Sequence, residues 1–149
     1  MNFNTHSDLK DAHSFLSPSN YHWLNYTPEK LVSVYRHQKQ KEEGTILHNF
    51  ASMAIDKRIK LAPVKKALNM FVNDAIGFKM QSEQVLYYSR NSFGTADAIS
   101  FRDNFLRIHD LKTGITKPSF KQLDIYAALF CLEYGVNPEE ITIEERLYQ

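Results

Sequence analysis

Asp110-Leu111-Lys112 places an acid and a lysine two residues apart. Side chains alternate faces along an extended strand, so both project to the same side. There a carboxylate can hold a divalent cation while the ammonium sits beside a reacting phosphate, which is what hydrolysis of a phosphodiester asks for. On its own the triplet reads as a surface ion pair, and Asp8-Leu9-Lys10 repeats it without any such surroundings. Asp97 sets the second copy apart, lying thirteen residues earlier within Gly94-Thr95-Ala96-Asp97-Ala98-Ile99. Its apolar neighbours argue for burial, and a buried acid is costly unless paired or metal-bound. Two acids on adjacent strands can converge on one cation; a hydrogen-bonded strand-end acid is the competing reading of Asp97.

Strands and helices must hold these groups. Thr27-Pro28-Glu29 has the order of an N-cap, a first-turn proline and a first-turn acid, so a helix is expected from there to about Gln40. Glu42-Glu43-Gly44-Thr45 is read as a break. A second helix follows, with Ile46, Leu47, Phe50, Met53 and Ala54 as its apolar stripe and His48 within it. Pro63 is expected to open a third, turning Val64, Ala67, Leu68, Phe71 and Val72 inward and Lys65-Lys66 outward. Phe78 to Tyr88, Phe93 to Phe101 and Phe105 to Leu111 read as strands, and Arg102-Asp103-Asn104 as a hairpin turn between the last two. Ser119 to Tyr134 reads as a helix with Phe120, Leu123, Ala127, Phe130 and Leu132 among its apolar positions and Gly135 as its C-cap. Ile141 to Tyr148 completes the set. A right-handed crossover makes that strand parallel to Phe105 to Leu111. The expected fold class is α/β, with three antiparallel strands and a parallel C-terminal strand in one sheet flanked by helices.

The ordered set Gly44-Thr45-x-x-His48, Gly94-x-x-Asp97, Asp110-x-Lys112-Thr113-Gly114 and Gln122-x-x-x-Tyr126 resembles the RecB-like nucleases of the PD-(D/E)XK superfamily, which include CRISPR-associated exonucleases and phage recombination nucleases. Leu16-Ser17-Pro18-Ser19 with Trp23, and the closing Glu144 to Gln149, are similar to small phage-encoded members. The resemblance implies a restriction-endonuclease-like core in a single domain over 1–149, helical over 14–76 and sheet-containing over 77–149. It implies that His48, Asp97 and Asp110 bind Mg²⁺ or Mn²⁺, with the main-chain carbonyl of Leu111 as a further ligand. Lys112 would activate or position the attacking water. Gln122 and Tyr126, four apart and so on one helical face, would support the site and contact DNA. Glu83 occupies the place of an acid seen in many members, and an exposed strand acid explains it equally.

Composition narrows the class further. The 149 residues fit one domain. The single cysteine, Cys131, excludes an internal disulfide framework and a four-cysteine iron–sulfur cluster, so the cluster-free kind of nuclease is expected, and Cys131 itself reads as a core residue. No secretory signal is read at Met1 to Lys10, and the apolar run Ile125 to Leu132 is too short to span a bilayer; a cytoplasmic setting, in a bacterial host if phage-encoded, is expected, with no membrane partner. The net charge is +1, which argues against a protein that coats DNA. From Lys30 to Lys66, however, nine Lys or Arg face three Asp or Glu, a local +6 that leaves −5 elsewhere. Solvated helix faces explain this as well as a DNA-facing surface does. His6, His13, His22, His37 and His109 form no metal-spaced cluster, and His109 should point away from Asp110 across the strand. Ser17 and Ser19 read as helix caps rather than nucleophiles. Tyr87-Tyr88 reads as strand packing before base stacking.

The leading expectation is a Mg²⁺- or Mn²⁺-dependent deoxyribonuclease, an exonuclease or end- or structure-directed enzyme of phage or mobile-element recombination, replication or DNA processing. DNA is the expected partner, with a homo-oligomer or a recombination or replication partner beside it. A non-catalytic DNA-binding or assembly subunit with the same fold is the alternative, and a plain α/β interaction module a third reading.

Overall fold

The computed structural model describes residues 14–115 and 117–149. Asp8-Leu9-Lys10, His6, His13 and the leader reading of Met1 to Lys10 lie outside the described residues. The chain divides between Glu42 and Glu43 into two compact units. In the first, Pro18–Asn25 forms a 3-10 helix in which the Trp23 indole donates to the Ser17 carbonyl at 3.1 Å, and Phe15 meets Tyr35 edge-on. Ser17 sits at the N-cap, but its hydroxyl bonds that of Ser19 rather than a backbone amide.

Helix α1, Pro28–Asp56, runs unbroken for 29 residues, so the expected break at Glu42 to Thr45 does not occur. Glycine costs a helix about 1 kcal/mol against alanine but does not end it. Gly44 is placed there by packing: a Cβ would lie 2.7 Å from the Thr113 hydroxyl. The buried line along this part of α1 is Gly44, Ala51, Ala54 and Ile55, whereas Ile46, Leu47, Phe50 and Met53 stand exposed. Small residues let the helix approach closely, so the face with the larger side chains is the outer one.

Helix α2 is Ala67–Gly77 and begins four residues after Pro63. Asn73 accepts from the Leu61 amide and donates to its carbonyl, and Asn69 donates to Ala62. These side chains hold 61–62 as a loop, and Val64 is exposed rather than inward. At the other end Phe78 and Met80 donate to Asp74 and Ala75, with Lys79 at φ +55°. Closure of the helix therefore takes up the first residues of the expected strand.

Strand β1 is Gln81–Ser89, β2 Ser92–Arg102 and β3 Phe105–Leu111. Helix α3, Lys121–Tyr134, leads to β4, Thr142–Tyr148. The sheet order is β1-β2-β3-β4, antiparallel between the first three and parallel between β3 and β4, as the sequence pattern predicts. Asp103 and Asn104, both at positive φ, turn the second hairpin. Gly135 ends α3 at φ +63°. Two apolar clusters flank the sheet: Ala51, Ile55, Phe71 and Val72 pack with Ala98 and Leu111, while Leu123, Ala127 and Phe130 pack with Leu86, Ile99 and Ile108. Phe120 and Leu132, expected among the apolar positions of α3, are exposed. Cys131 is buried, and burial pushes its thiol pKa up. Among the described residues no helix is long and apolar enough to cross a membrane.

Candidate metal centre

Four elements deliver donors to one region. His48 comes from α1, Glu83 from β1, Asp97 from β2 and Asp110 from the end of β3, where Lys112 follows the strand. His48 Nδ1 lies 3.4 Å from Asp97 Oδ2, and one donor atom each from His48, Glu83 and Asp97 fall within 4.8 Å of one another. Ligands at roughly 2.1 Å from an octahedral ion set opposed donors roughly 4.2 Å apart. Modest side-chain rotation therefore closes this trio around a cation.

Glu83 adopts φ +47° in the middle of β1, a conformation uncommon for a residue with a Cβ. Its carboxyl pKa is raised by burial and by the charge of Asp97. His48 is raised too, chiefly because its ring hydrogen-bonds Asp97, against the opposing effect of burial. Such backbone outliers and mutually perturbed groups concentrate at functional sites.

Asp110 stands just outside the trio. It is 2% exposed, and burial holds its pKa above the usual carboxylate value despite the Lys112 hydrogen bond. Lys112 Nζ donates to Oδ1 at 3.1 Å and lies 2.9 Å from Oδ2, so the ammonium pairs with both carboxylate oxygens. The imidazole and carboxylate donors suit Mn²⁺ well and Mg²⁺ through the oxygens.

A polar chain extends from Lys112. Its ammonium also donates to Gln122 Oε1 at 2.6 Å, Gln122 Nε2 donates to the Tyr126 hydroxyl at 3.1 Å, and that hydroxyl donates to the Thr95 carbonyl at 2.7 Å. Gly94 makes room for the tyrosine, since a Cβ there would lie 2.8 Å from the ring. Gly44 and Gly94 are thus explained by close packing of Thr113 and Tyr126, whereas a Cβ at Gly114 would meet nothing within 4 Å.

His48, Asp97, Asp110, Lys112, Gln122 and Tyr126, read from spacing and resemblance, converge in this region. Glu83 joins the tightest trio where Asp110 was expected. The Leu111 amide donates to Asp97 Oδ2 at 2.8 Å and so orients that carboxylate. His109 turns the other way, into a buried network in which Tyr148 bonds both His109 Nδ1 and Asp74. Tyr148 is a residue that spacing alone did not single out; its carbonyl accepts from the Lys112 amide at 2.8 Å, and Gln149 bonds the Gly114 carbonyl. The parallel pairing of β4 with β3 was the available signal that the last residues would reach the Lys112 turn. Among the described residues no second trio of His, Cys, Asp or Glu donors occurs.

No protein-family model, curated protein or solved structure matches the chain.

Proposed function

We propose that the chain is a metal-dependent DNA nuclease with a restriction-endonuclease-like core of the RecB-like, PD-(D/E)XK kind. Its place is in phage or mobile-element recombination, replication or DNA processing inside a bacterial host, acting on ends or DNA structures. One observation carries this reading: an ammonium held by a buried acid and a helix glutamine lies beside a His-Glu-Asp trio drawn from three different elements. A structural ion pair has no need of such convergence.

His48, Glu83, Asp97 and Asp110 are the groups that would hold the ion, with the Leu111 carbonyl as a further ligand. Bound Mg²⁺ or Mn²⁺ supplies an acidified water and offsets charge on the phosphoryl oxygens. Lys112 keeps a positive charge beside the scissile phosphate and orients the attacking water. Gln122 fixes the ammonium, and Tyr126, tied to Thr95, fixes Gln122. Self-assembly or a partner protein would supply whatever specificity the site lacks.

End-labelled linear DNA and closed circular DNA, incubated with Mg²⁺ or Mn²⁺, test the reading. Linear DNA should be degraded and closed circles spared, and Asp110→Ala should abolish the cleavage. Intact substrates throughout, or an Asp110→Ala variant as active as wild type, would contradict it.

A further inference from the structure

The loop that joins α1 to α2 reads Lys57-Arg58-Ile59-Lys60-Leu61-Ala62-Pro63-Val64-Lys65-Lys66, five cations with no acid among them. All five are exposed, and among the described residues none of their side chains makes a hydrogen bond or an ion pair. Lys39, Arg107, Lys112 and Arg146, by contrast, each pair with an acid. Unpaired like charges repel one another, so an external anion stabilises such a run. The loop is also fixed in place. The Ile59 amide donates to the Ala54 carbonyl at 2.8 Å, Asn73 holds both backbone groups of Leu61, and Asn69 holds the Ala62 carbonyl.

The surroundings of the loop select the anion. A cleft of about 380 Å³, lined by Asn49, Ser52, Met53, Asp56, Lys57 and Glu83, opens at the first residue of the loop and ends on a member of the His-Glu-Asp trio. Two acids lie in this cleft. Asp56 is engaged by the Ser82 hydroxyl at 2.6 Å, Glu83 is a group that would hold the ion, and five cations outnumber the pair. A bilayer or an acidic protein would meet the loop as an isolated patch and leave the cleft unused. Ile59 and Val64, 51% and 44% exposed, are the only large apolar side chains the loop offers a membrane. A linear chain of phosphates uses loop and cleft together, since one stretch of it can lie on the cations while the next enters between Lys57 and Glu83.

We propose that residues 57–66 are a docking surface for the phosphate backbone of DNA, which they lead along the Lys57–Glu83 cleft to Asp97 and Lys112. The choice of ligand rests on the nuclease reading above and names how that site holds its substrate. Contacts to phosphate position a strand without reading its bases, so the grip is independent of sequence.

Fluorescence anisotropy in EDTA at rising salt, with a labelled strand and the duplex made from it, tests this without cleavage. For the form bound more tightly, the logarithm of affinity should fall linearly with the logarithm of salt concentration. Arg58→Gln with Lys60→Gln, and Lys65→Gln with Lys66→Gln, should each weaken binding and make that slope shallower by about 1.5, with unchanged circular dichroism. Lys79→Gln with Arg102→Gln, which removes the same charge beside Phe130 of α3, should leave the slope unchanged. No DNA binding, a slope that neither loop variant moves, or a slope that the control moves as far would overturn the inference. Loop-dependent binding to phosphatidylserine vesicles tighter than to DNA would do so too, by assigning the loop to a membrane. Asp110-dependent cleavage with DNA binding indifferent to the loop defeats this inference alone, whereas loop-dependent binding without cleavage in Mn²⁺ defeats hydrolysis alone.

Discussion

Glu83 holds its carboxylate near Asp97 and His48 from a backbone conformation that glycine adopts more easily. A left-handed residue with a Cβ costs roughly 1–2 kcal/mol. Glu83→Gly should therefore leave the metal-free melting temperature unchanged or raise it by about 2–4 °C, while the rise produced by Mn²⁺ shrinks. Differential scanning fluorimetry with and without Mn²⁺ measures both, and a large loss of metal-free stability would mean that Glu83 has a structural role. Protons compete for the same atoms. The raised pKa values of His48, Glu83 and Asp110 mean that each binds its proton more firmly than in an unfolded chain. Their contribution to metal-free stability is fully present at low pH and is lost as pH rises through the folded values. A bound cation needs all three deprotonated. The Mn²⁺-induced rise in melting temperature should thus be larger at pH 8 than at pH 5.5; a rise independent of pH would place the ion elsewhere.

At the scale of elements, α1 is positioned by a missing side chain. Gly44 lets the helix carrying His48 reach the Thr113 turn that follows Lys112. Gly44→Ala gains about 1 kcal/mol of helix propensity but forces a methyl group against the Thr113 hydroxyl, so it should destabilise the protein. In a Thr113→Ala background the same change should become neutral or stabilising. Urea denaturation of the four proteins gives the coupling directly, and equal effects in both backgrounds would contradict the packing account. The α1 result also marks what the sequence could disclose. Asp110 and Lys112 were legible because they alternate along one strand, Asp97 because it lies on the preceding strand among apolar neighbours, His48 through the resemblance, and the β3–β4 pairing because crossovers have one hand. The inner face of α1 was hidden: its buried line is Gly44, Ala51, Ala54 and Ile55, and apolar periodicity weights large residues over small ones. Glu83 was reached only through the resemblance, and its left-handed backbone was hidden, since such a residue inside a strand leaves no compositional trace when it is not glycine or asparagine.

For the whole molecule, a net charge of +1 gives little general attraction for phosphate, so neutralising the acids of the site should strengthen DNA binding. Glu83, Asp97 and Asp110 repel phosphate when no ion is bound, and a bound divalent ion adds two positive charges where they stand. Calcium, a cation that accepts the same oxygen donors, should therefore tighten DNA binding by the wild type, with a smaller effect on an Asp97→Asn, Asp110→Asn double variant. Equal Ca²⁺ responses in anisotropy titrations would separate DNA binding from the carboxylates.

The central claim is hydrolysis by this group of residues, and the most direct test is the initial rate of cleavage of end-labelled DNA as Mn²⁺ is titrated, for wild type, Asp97→Asn and Lys112→Gln. The account predicts a saturable rate for wild type, loss of cleavage in Asp97→Asn, and a rate lower by about 10²–10³-fold in Lys112→Gln at saturating Mn²⁺. Rates equal to wild type in both variants, or cleavage that persists in EDTA, would contradict it.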